Sequence, residues 1–288
     1  MIGIGGHSNK IETYDYIRSS VGEQLVDRIF DMTKDFPNVA EIGCNAGYLT
    51  RHELPDTIKR YRLCDSSEKM LKQAELSTRK CSIEFSYHRM DEETPTFEAN
   101  SLDMVVSNLS LHWVNNLPGC FDAIFKSLKP DGLFMATLFG GDTLYELRTS
   151  LQLAELERKG GLSAHISPFT QISDVGALLQ RAGFGLLTID TDEMTVGYPS
   201  MIELMYDLKG MGENNAIHTR PLHLSRDVIM AATAIYKEMY GYENGIVATY
   251  NLIYLVGWKP APNQPKPLER GSAKVSLKDL GNLKNLAK

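Results

Sequence analysis

The run Val39-Ala40-Glu41-Ile42-Gly43-Cys44-Asn45-Ala46-Gly47-Tyr48 carries the strongest chemical signal in the chain: an apolar strand passing into a tight glycine turn ahead of a helix. Gly43 and Gly47 lack a Cβ, so the backbone there can turn sharply and bring main-chain N–H groups against a ligand. The positive end of a following helix favours a carboxylate or phosphate on that ligand. A plain strand-to-helix turn is the other reading of these residues taken alone. Two acids sharpen the choice. Asp65 closes the second apolar run, where a carboxylate can accept from both hydroxyls of an adenosine ribose. Asp91 follows the third run, where it can accept from an adenine amino group. Singly, Asp65 also reads as a helix cap and Asp91 as a solvated acid.

A dinucleotide site is the main competitor. Its G-x-G-x-x-G pattern would need glycines where this chain has Asn45 and Tyr48, so the pyrophosphate seat is poorly supplied. An adenosyl ligand with an amino-acid carboxylate, such as S-adenosylmethionine, suits the turn and the two acids better.

The elements that must position these groups read as a doubly wound α/β sheet. Strands are expected at 39–42, 60–64, 82–88, 102–107, 133–138, 186–190 and 250–256. An opening helix buries Val21, Leu25, Val26 and Ile29 and turns Gly22, Glu23, Asp27 and Arg28 outward. Further helices are expected at 68–76, 121–128, 172–182 and 228–240. The turn at 129–132 closes the third of these helices, counting the opening one, and Gly183 ends the one at 172–182. Thr143 and Glu146 form a capping box for another helix, through about residue 157. The organisation is therefore an N-terminal helical segment, 1–38, a domain over 39–258 with a Met- and Gly-rich lid at about 195–226, and a Pro-rich basic tail, 259–288.

Composition narrows the class. With 288 residues, 43% apolar content and a net charge of -6 with acids and bases interspersed, the chain supports one large core. That charge argues against a nucleic-acid binder that relies on phosphate neutralisation. Cys44, Cys64, Cys81 and Cys120 form no CxxC pair, so neither a disulfide framework nor a zinc site is indicated. No apolar run reaches the roughly 18 to 20 residues of a membrane span, and residues 1–11 carry no secretory or Arg-rich presequence pattern.

The glycine turn, Asp65, Asp91 and Leu102-Asp103-Met104-Val105-Val106-Ser107 resemble motifs one to four of class I methyltransferases, over roughly residues 39–138. The resemblance implies a Rossmann-like class I methyltransferase fold: a mostly parallel seven-stranded sheet, helices on both faces and a lid insertion. It implies S-adenosylmethionine as cofactor, held by Glu41, Gly43, Asn45, Gly47, Asp65, Asp91 and Asn108. The family usually has Gly at position 45 and Asp at position 41; Asn tolerates left-handed backbone better than other side chains do.

More narrowly, the segments 107–114, 139–148, 165–169, 190–193, 210–214 and 270–273 resemble the mitochondrial complex I assembly factors described as arginine hydroxylases. That likeness implies a complex I subunit as protein partner and an arginine side chain as substrate. It places the chain in the mitochondrion, with peripheral contact at the matrix face of the inner membrane, a contact the basic tail would suit. A more distant likeness is to the malonyl-carrier-protein methyltransferase of biotin synthesis.

Around the cleft, Asp142 and Glu146 are candidates to pair with a guanidinium, and His112, Trp113 and Tyr145 to pack over it. Capping roles for Asp142 and Glu146 and a core role for Trp113 are equally open. Met201, Leu204, Met205 and Leu208 keep helical spacing, as an amphipathic lid helix or a partner surface. No H-x-D or H-x-E pair occurs among the seven histidines, so the hydroxylase chemistry does not follow from the residues themselves and no metal site is expected. Three functions remain: a protein side-chain modifying enzyme, a methyltransferase of a carrier-bound acid, and a non-catalytic assembly chaperone.

Overall fold

The computed structural model describes residues 13–221, 223–265 and 271–272. Within them the chain runs α1 (Tyr16–Phe30), β1 (Asn38–Ile42), β2 (Arg60–Asp65), α2 (Glu68–Ser77), β3 (Glu84–Arg89), β4 (Leu102–Asn108), a 3-10 turn (Leu111–Trp113) and α3 (Leu117–Ser127). It continues with β5 (Leu128–Phe139), α4 (Tyr145–Lys159), α5 (Ile172–Ala182), β6 (Gly185–Tyr198), α6 (Met201–Met211), α7 (Arg226–Tyr240), β7 (Gly241–Tyr242) and β8 (Gly245–Trp258).

The sheet order is β3-β2-β1-β4-β5-β8-β6, with the two-residue β7 hairpinned onto β8. Strands β1 to β5 pair in parallel, whereas β8 runs antiparallel to both β5 and β6. The order reverses between β1 and β4, and a crevice outside the carboxyl ends of the strands is the expected ligand seat at such a switch point. β1 is buried on both faces, as a strand covered by helices must be. Val39 packs with Leu25 and Ile29 of α1, while its neighbour Ala40 packs with Phe121 of α3 and Leu179 of α5, following the two-residue period of a strand.

Several expectations change in the structure. No regular helix follows the glycine turn; residues 45–51 form successive turns. Attraction for an anion must therefore come from individual amides and not from a helix dipole. Gly22 is buried, because an ideal Cβ there would lie 3.1 Å from the Asn108 amide and 3.3 Å from Tyr48. The capping box does not form: α4 opens after Leu144 with no side-chain cap, and Thr143 instead exchanges hydrogen bonds with the backbone of Asn251. The expected turn at 129–132 is an irregularity inside β5, with Asp131 at φ 64.

The two C-terminal strands are much longer than the sequence suggests, because the polar run Thr191 to Thr195 continues β6 as the sheet edge. Charged residues suit an edge strand, which they protect from pairing with other chains. β6 thus takes up residues 195–198 of the segment expected as a lid, and α6 follows it. The tail is anchored at its start: Lys259 donates to the carbonyls of Phe125 and Leu128, and Gln264 to Asp131. Most of its basic residues lie outside the described residues. Among the described residues no helix is long and apolar enough to cross a membrane. Cys44, Cys64, Cys81 and Cys120 are free thiols.

Candidate functional site

The carboxyl ends of β1, β2, β3 and β4 surround a cleft of about 290 Å³ lined by Asn45, Asp65, Ser66, Ser67, Met70, Asp91, Glu92, Glu93, Ser110, Trp113 and Val114. Gly43, Asn45 and Gly47 all have positive φ, at 65°, 49° and 76°. At Gly43 a Cβ would stand 2.0 Å from the Ser110 hydroxyl, so only glycine keeps this wall of the cleft in place. The Asn45 amide folds back to donate to the Gly43 carbonyl at 3.0 Å, and so steadies the left-handed turn.

Asp65 links the turn to the second strand. One carboxylate oxygen accepts the Asn45 N–H at 2.9 Å and the other the Ser67 N–H at 2.8 Å. Each oxygen keeps a further lone pair, and the residue lines the cleft, so its acceptor capacity matches a pair of sugar hydroxyls. Burial raises its carboxyl above the usual range, and the hydrogen bonds from Ser67 and Asn45 and the charge of Arg18 offset only part of this. Glu92 is pushed up to about 7, first by burial and then by the negative charges of Asp65 and Asp91. Asp91 is exposed at the rim and caps the Glu93 N–H at 2.9 Å. Glu93 accepts from the N–H groups of Asn115 and Asn116, which lowers its carboxyl and fastens the loop after β3 to the end of the 3-10 turn.

Four residues expected to contact a cofactor, Glu41, Gly43, Gly47 and Asn108, are not among those that line this cleft, and the two glycines contribute only the shape of its turn. Glu41 is fully buried in β1 with one oxygen accepting from Tyr61 and the other unpartnered. Burial lifts its carboxyl to about 8, against the Tyr61 bond and aided by the charge of Asp65. Asn108 spends its amide elsewhere: its Nδ2 donates to the Arg18 carbonyl and its Oδ1 accepts from Thr137, tying α1 to β4 and β5. It is a structural tie.

The expected substrate residues divide in the same way. Glu146 is buried and accepts both the hydroxyl and the N–H of Thr249, which fastens α4 to β8, and it does not line the cleft. Asp142 is exposed, with no partner role shown, and Tyr145 stands edge-on to Tyr240 at 5.8 Å, away from the cleft lining. Trp113 does line the cleft, 38% exposed. His112 lies behind it, its ring 4.9 Å from Phe139, 5.7 Å from Trp113 and 5.9 Å from Phe169.

The segment 210–214 was singled out only by its likeness, and the buried cluster that Glu213 joins there carries no signal in the sequence. Arg18 of α1 donates to the Met211 carbonyl at 2.8 Å and pairs with Glu213, whose other oxygen meets His112 at 3.2 Å. Burial raises the Glu213 carboxyl, but His112 and Arg18 outweigh it and hold the group below its ordinary value. Asp15 sits 3.6 Å from Arg18 and accepts from the Tyr48 hydroxyl, so the cluster reaches back to the glycine turn. Arg18, His112 and Glu213 lie far apart in the chain, and no local pattern marks them. Ser110 and Glu92 were discoverable, as neighbours of residues already singled out.

A parallel sheet reversed at β1 and β4, closed by an antiparallel β8 and carrying a glycine-and-acid cradle at the strand ends, defines a protein of the methyltransferase fold. The family model described as Methyltransferase domain matches residues 40–136. A putative methyltransferase from Bacillus halodurans has a similar structure, with TM-score 0.57 and 14% identity, covering 84% of this chain and 100% of that one.

Sequence relatives narrow the class. The chain is 47% identical to the mitochondrial arginine-hydroxylase NDUFAF5 of Danio rerio over 95% of this chain and 84% of that protein. It is 49% identical to the Homo sapiens protein of the same name, over 95% and 78% of the two chains. The malonyl-[acyl-carrier protein] O-methyltransferase of a Methylovorus strain is more distant, at 31% identity over 86% and 85%. The chain belongs to the NDUFAF5 arginine-hydroxylase family, an enzyme family of the methyltransferase fold.

Proposed function

We propose that the chain binds S-adenosylmethionine in the cleft beside Asp65 and modifies, by hydroxylation, an arginine side chain of a complex I subunit during assembly in the mitochondrion. The observation that carries the cofactor reading is the double anchoring of Asp65 by the Asn45 and Ser67 N–H groups, which presents its remaining lone pairs to the cleft. Gly43 keeps the wall beside Ser110 clear, and Asp91 and the backbone near Glu92 stand where the base would lie. When bound, the cofactor supplies a sulfonium and an adenosyl group at this position. The surrounding carboxylates favour its positive charge.

The arginine reading rests on the near relatives' names and on Trp113, which lines the cleft with His112 packed behind it. Hydroxylation inserts one oxygen atom into an N–H or C–H bond, so a two-electron oxidant must take part: a peroxide, whose other oxygen leaves as water or an alcohol, or dioxygen with two electrons from a reductant, its second oxygen leaving as water. The segment from Pro199 to Arg226 acts as the lid, and the basic tail approaches the matrix face of the inner membrane. The carrier-acid methyltransferase reading is disfavoured by the lower identity of those relatives.

Two measurements test this. Calorimetry with S-adenosylmethionine should give binding heat that Asp65→Ala weakens at least tenfold, on the order expected for lost hydrogen bonds to a charged group. Mass spectrometry of complex I subunits from cells with and without the protein should show an oxygen-sized increment on one arginine only when the protein is present. A methyl-sized increment, or an unmodified arginine in both samples, rules out hydroxylation.

A further inference from the structure

The cleft is lined by the carboxyl groups of Asp65, Asp91, Glu92 and Glu93 and by no lysine, arginine or histidine. Glu92 is the one of these that reaches inward to the glycine turn. Its Oε1 would lie 3.3 Å from a Cβ built on Gly43, and the Ser110 hydroxyl 2.0 Å from the same point. The loop after β3 thus brings a carboxyl group to the carboxyl end of β1, on the wall of a cavity of about 290 Å³.

The titratable groups that face Glu92 are acidic or neutral. Asp65 comes from the end of β2, and Asp91 and Glu93 flank Glu92 in its own loop. The thiols of Cys44, Cys64 and Cys120 come from the glycine turn, β2 and α3; burial, with the charge of Glu92 among the smaller causes, pushes all three up, so they stay uncharged. Arg18, whose charge reaches Asp65, is itself engaged by Asp15 and Glu213. Burial first, and then Asp65 and Asp91, lift Glu92 to about 7, so near neutrality it stands between its acid and its carboxylate. A cation beside such a group favours the carboxylate, and an uncharged ligand of the same shape does not. Asp65 is set up for another task, since each of its oxygens already holds a main-chain N–H beside the sugar position.

We propose that Glu92 is the residue by which the cleft prefers the sulfonium form of its cofactor to the uncharged thioether of the same nucleoside, its carboxyl group releasing a proton to solvent as the cation binds. This rests on the reading of the cleft as an S-adenosylmethionine site and adds to it the group that senses charge there. A ligand that displaces a proton binds more tightly as pH rises, so the preference grows through the range in which Glu92 ionises.

The test uses the full chain with S-adenosylmethionine and S-adenosylhomocysteine, which differ in the charge on sulfur. Calorimetry at pH 7 in buffers of different ionisation enthalpy measures proton release. S-adenosylmethionine should release about half a proton more than S-adenosylhomocysteine, as expected for a group half ionised at that pH. The ratio of the two affinities should rise about fivefold in favour of S-adenosylmethionine between pH 6 and 7.5. Glu92→Gln, which keeps the shape and cannot ionise, should abolish the extra release and flatten the ratio, with circular dichroism verifying its fold. Equal proton release with the two probes, a ratio independent of pH, or an extra release that survives in Glu92→Gln overturns the proposal. The first two outcomes need no variant. Binding of both probes with equal release sinks the role of Glu92 alone, whereas no heat with either probe in any buffer sinks the cofactor reading and this proposal with it.

Discussion

The glycine cradle and the lid clamp are both polar, yet they are built on opposite plans. In the cradle, Asp65 and Asn45 are 20 positions apart and keep acceptor capacity facing the cleft. In the clamp, Arg18 reaches Glu213 across 195 positions and Glu213 reaches His112 across 101, and nearly all of the polar atoms are spent on one another. A cradle held by short-range contacts can stay open to a ligand without threatening the fold. A clamp made of buried charges is different: its members depend on one another, and removing one leaves another charge uncompensated.

The largest effect that would separate the two regions is therefore on stability. Arg18→Ala leaves Glu213 and Asp15 buried without their cation and should cost about 3 kcal/mol or more, read from chemical denaturation. A loss below about 1 kcal/mol would mean that water already reaches the clamp. Gly43→Ala should act mainly on ligand binding, since its Cβ meets Ser110 Oγ at 2.0 Å and its φ of 65° strains any side chain by about 1–2 kcal/mol. Cofactor affinity should fall more than tenfold, and calorimetry showing unchanged binding would contradict a cradle role for this turn.

Asn108→Ala makes the sharper contrast. It strips hydrogen bonds from the Arg18 carbonyl and Thr137 and should cost about 1–3 kcal/mol of stability. Cofactor affinity should stay within a factor of about three; a large loss would return Asn108 to the ligand site.

A pH slope completes the contrast. Glu41 titrates near 8 in the folded chain against 4.5 in the unfolded one, so the folded state binds the extra proton between those values. Stability should fall as pH rises from about 4.5 to 8 and level off above. Glu41→Gln should flatten that slope in urea melts, and an unchanged slope would assign it to other groups.

The same contrast explains what the sequence made visible. Five parallel strands and the glycine turn were legible because β-branched runs and a local turn carry their own pattern over a few residues. Asp65 and Asp91 could be placed because each follows a strand end directly. Asn108 and Glu146 were misplaced because their partners, Thr137 and Thr249, are chosen by tertiary packing, and a polar side chain beside a cleft looks identical whether it faces in or out. The length of β6 was hidden for a related reason: Asp192 and Glu193 read as loop until β8 supplies backbone partners. Glu213 lies in a segment marked only by its likeness and Arg18 in one not marked at all, and only their meeting gives them a role.

One consequence follows from where β8 sits. It lies between β5 and β6, so β6 has no neighbour to bond until the chain has been made almost to Trp258. During synthesis or passage through a translocation channel from the N-terminus, the parallel strands can assemble early, while the hairpin half waits for the last described strand to arrive. A chain ending anywhere between Val114 and Gly245 would thus lack β8 and the Thr249 that fastens α4, even though every cleft residue had already been made.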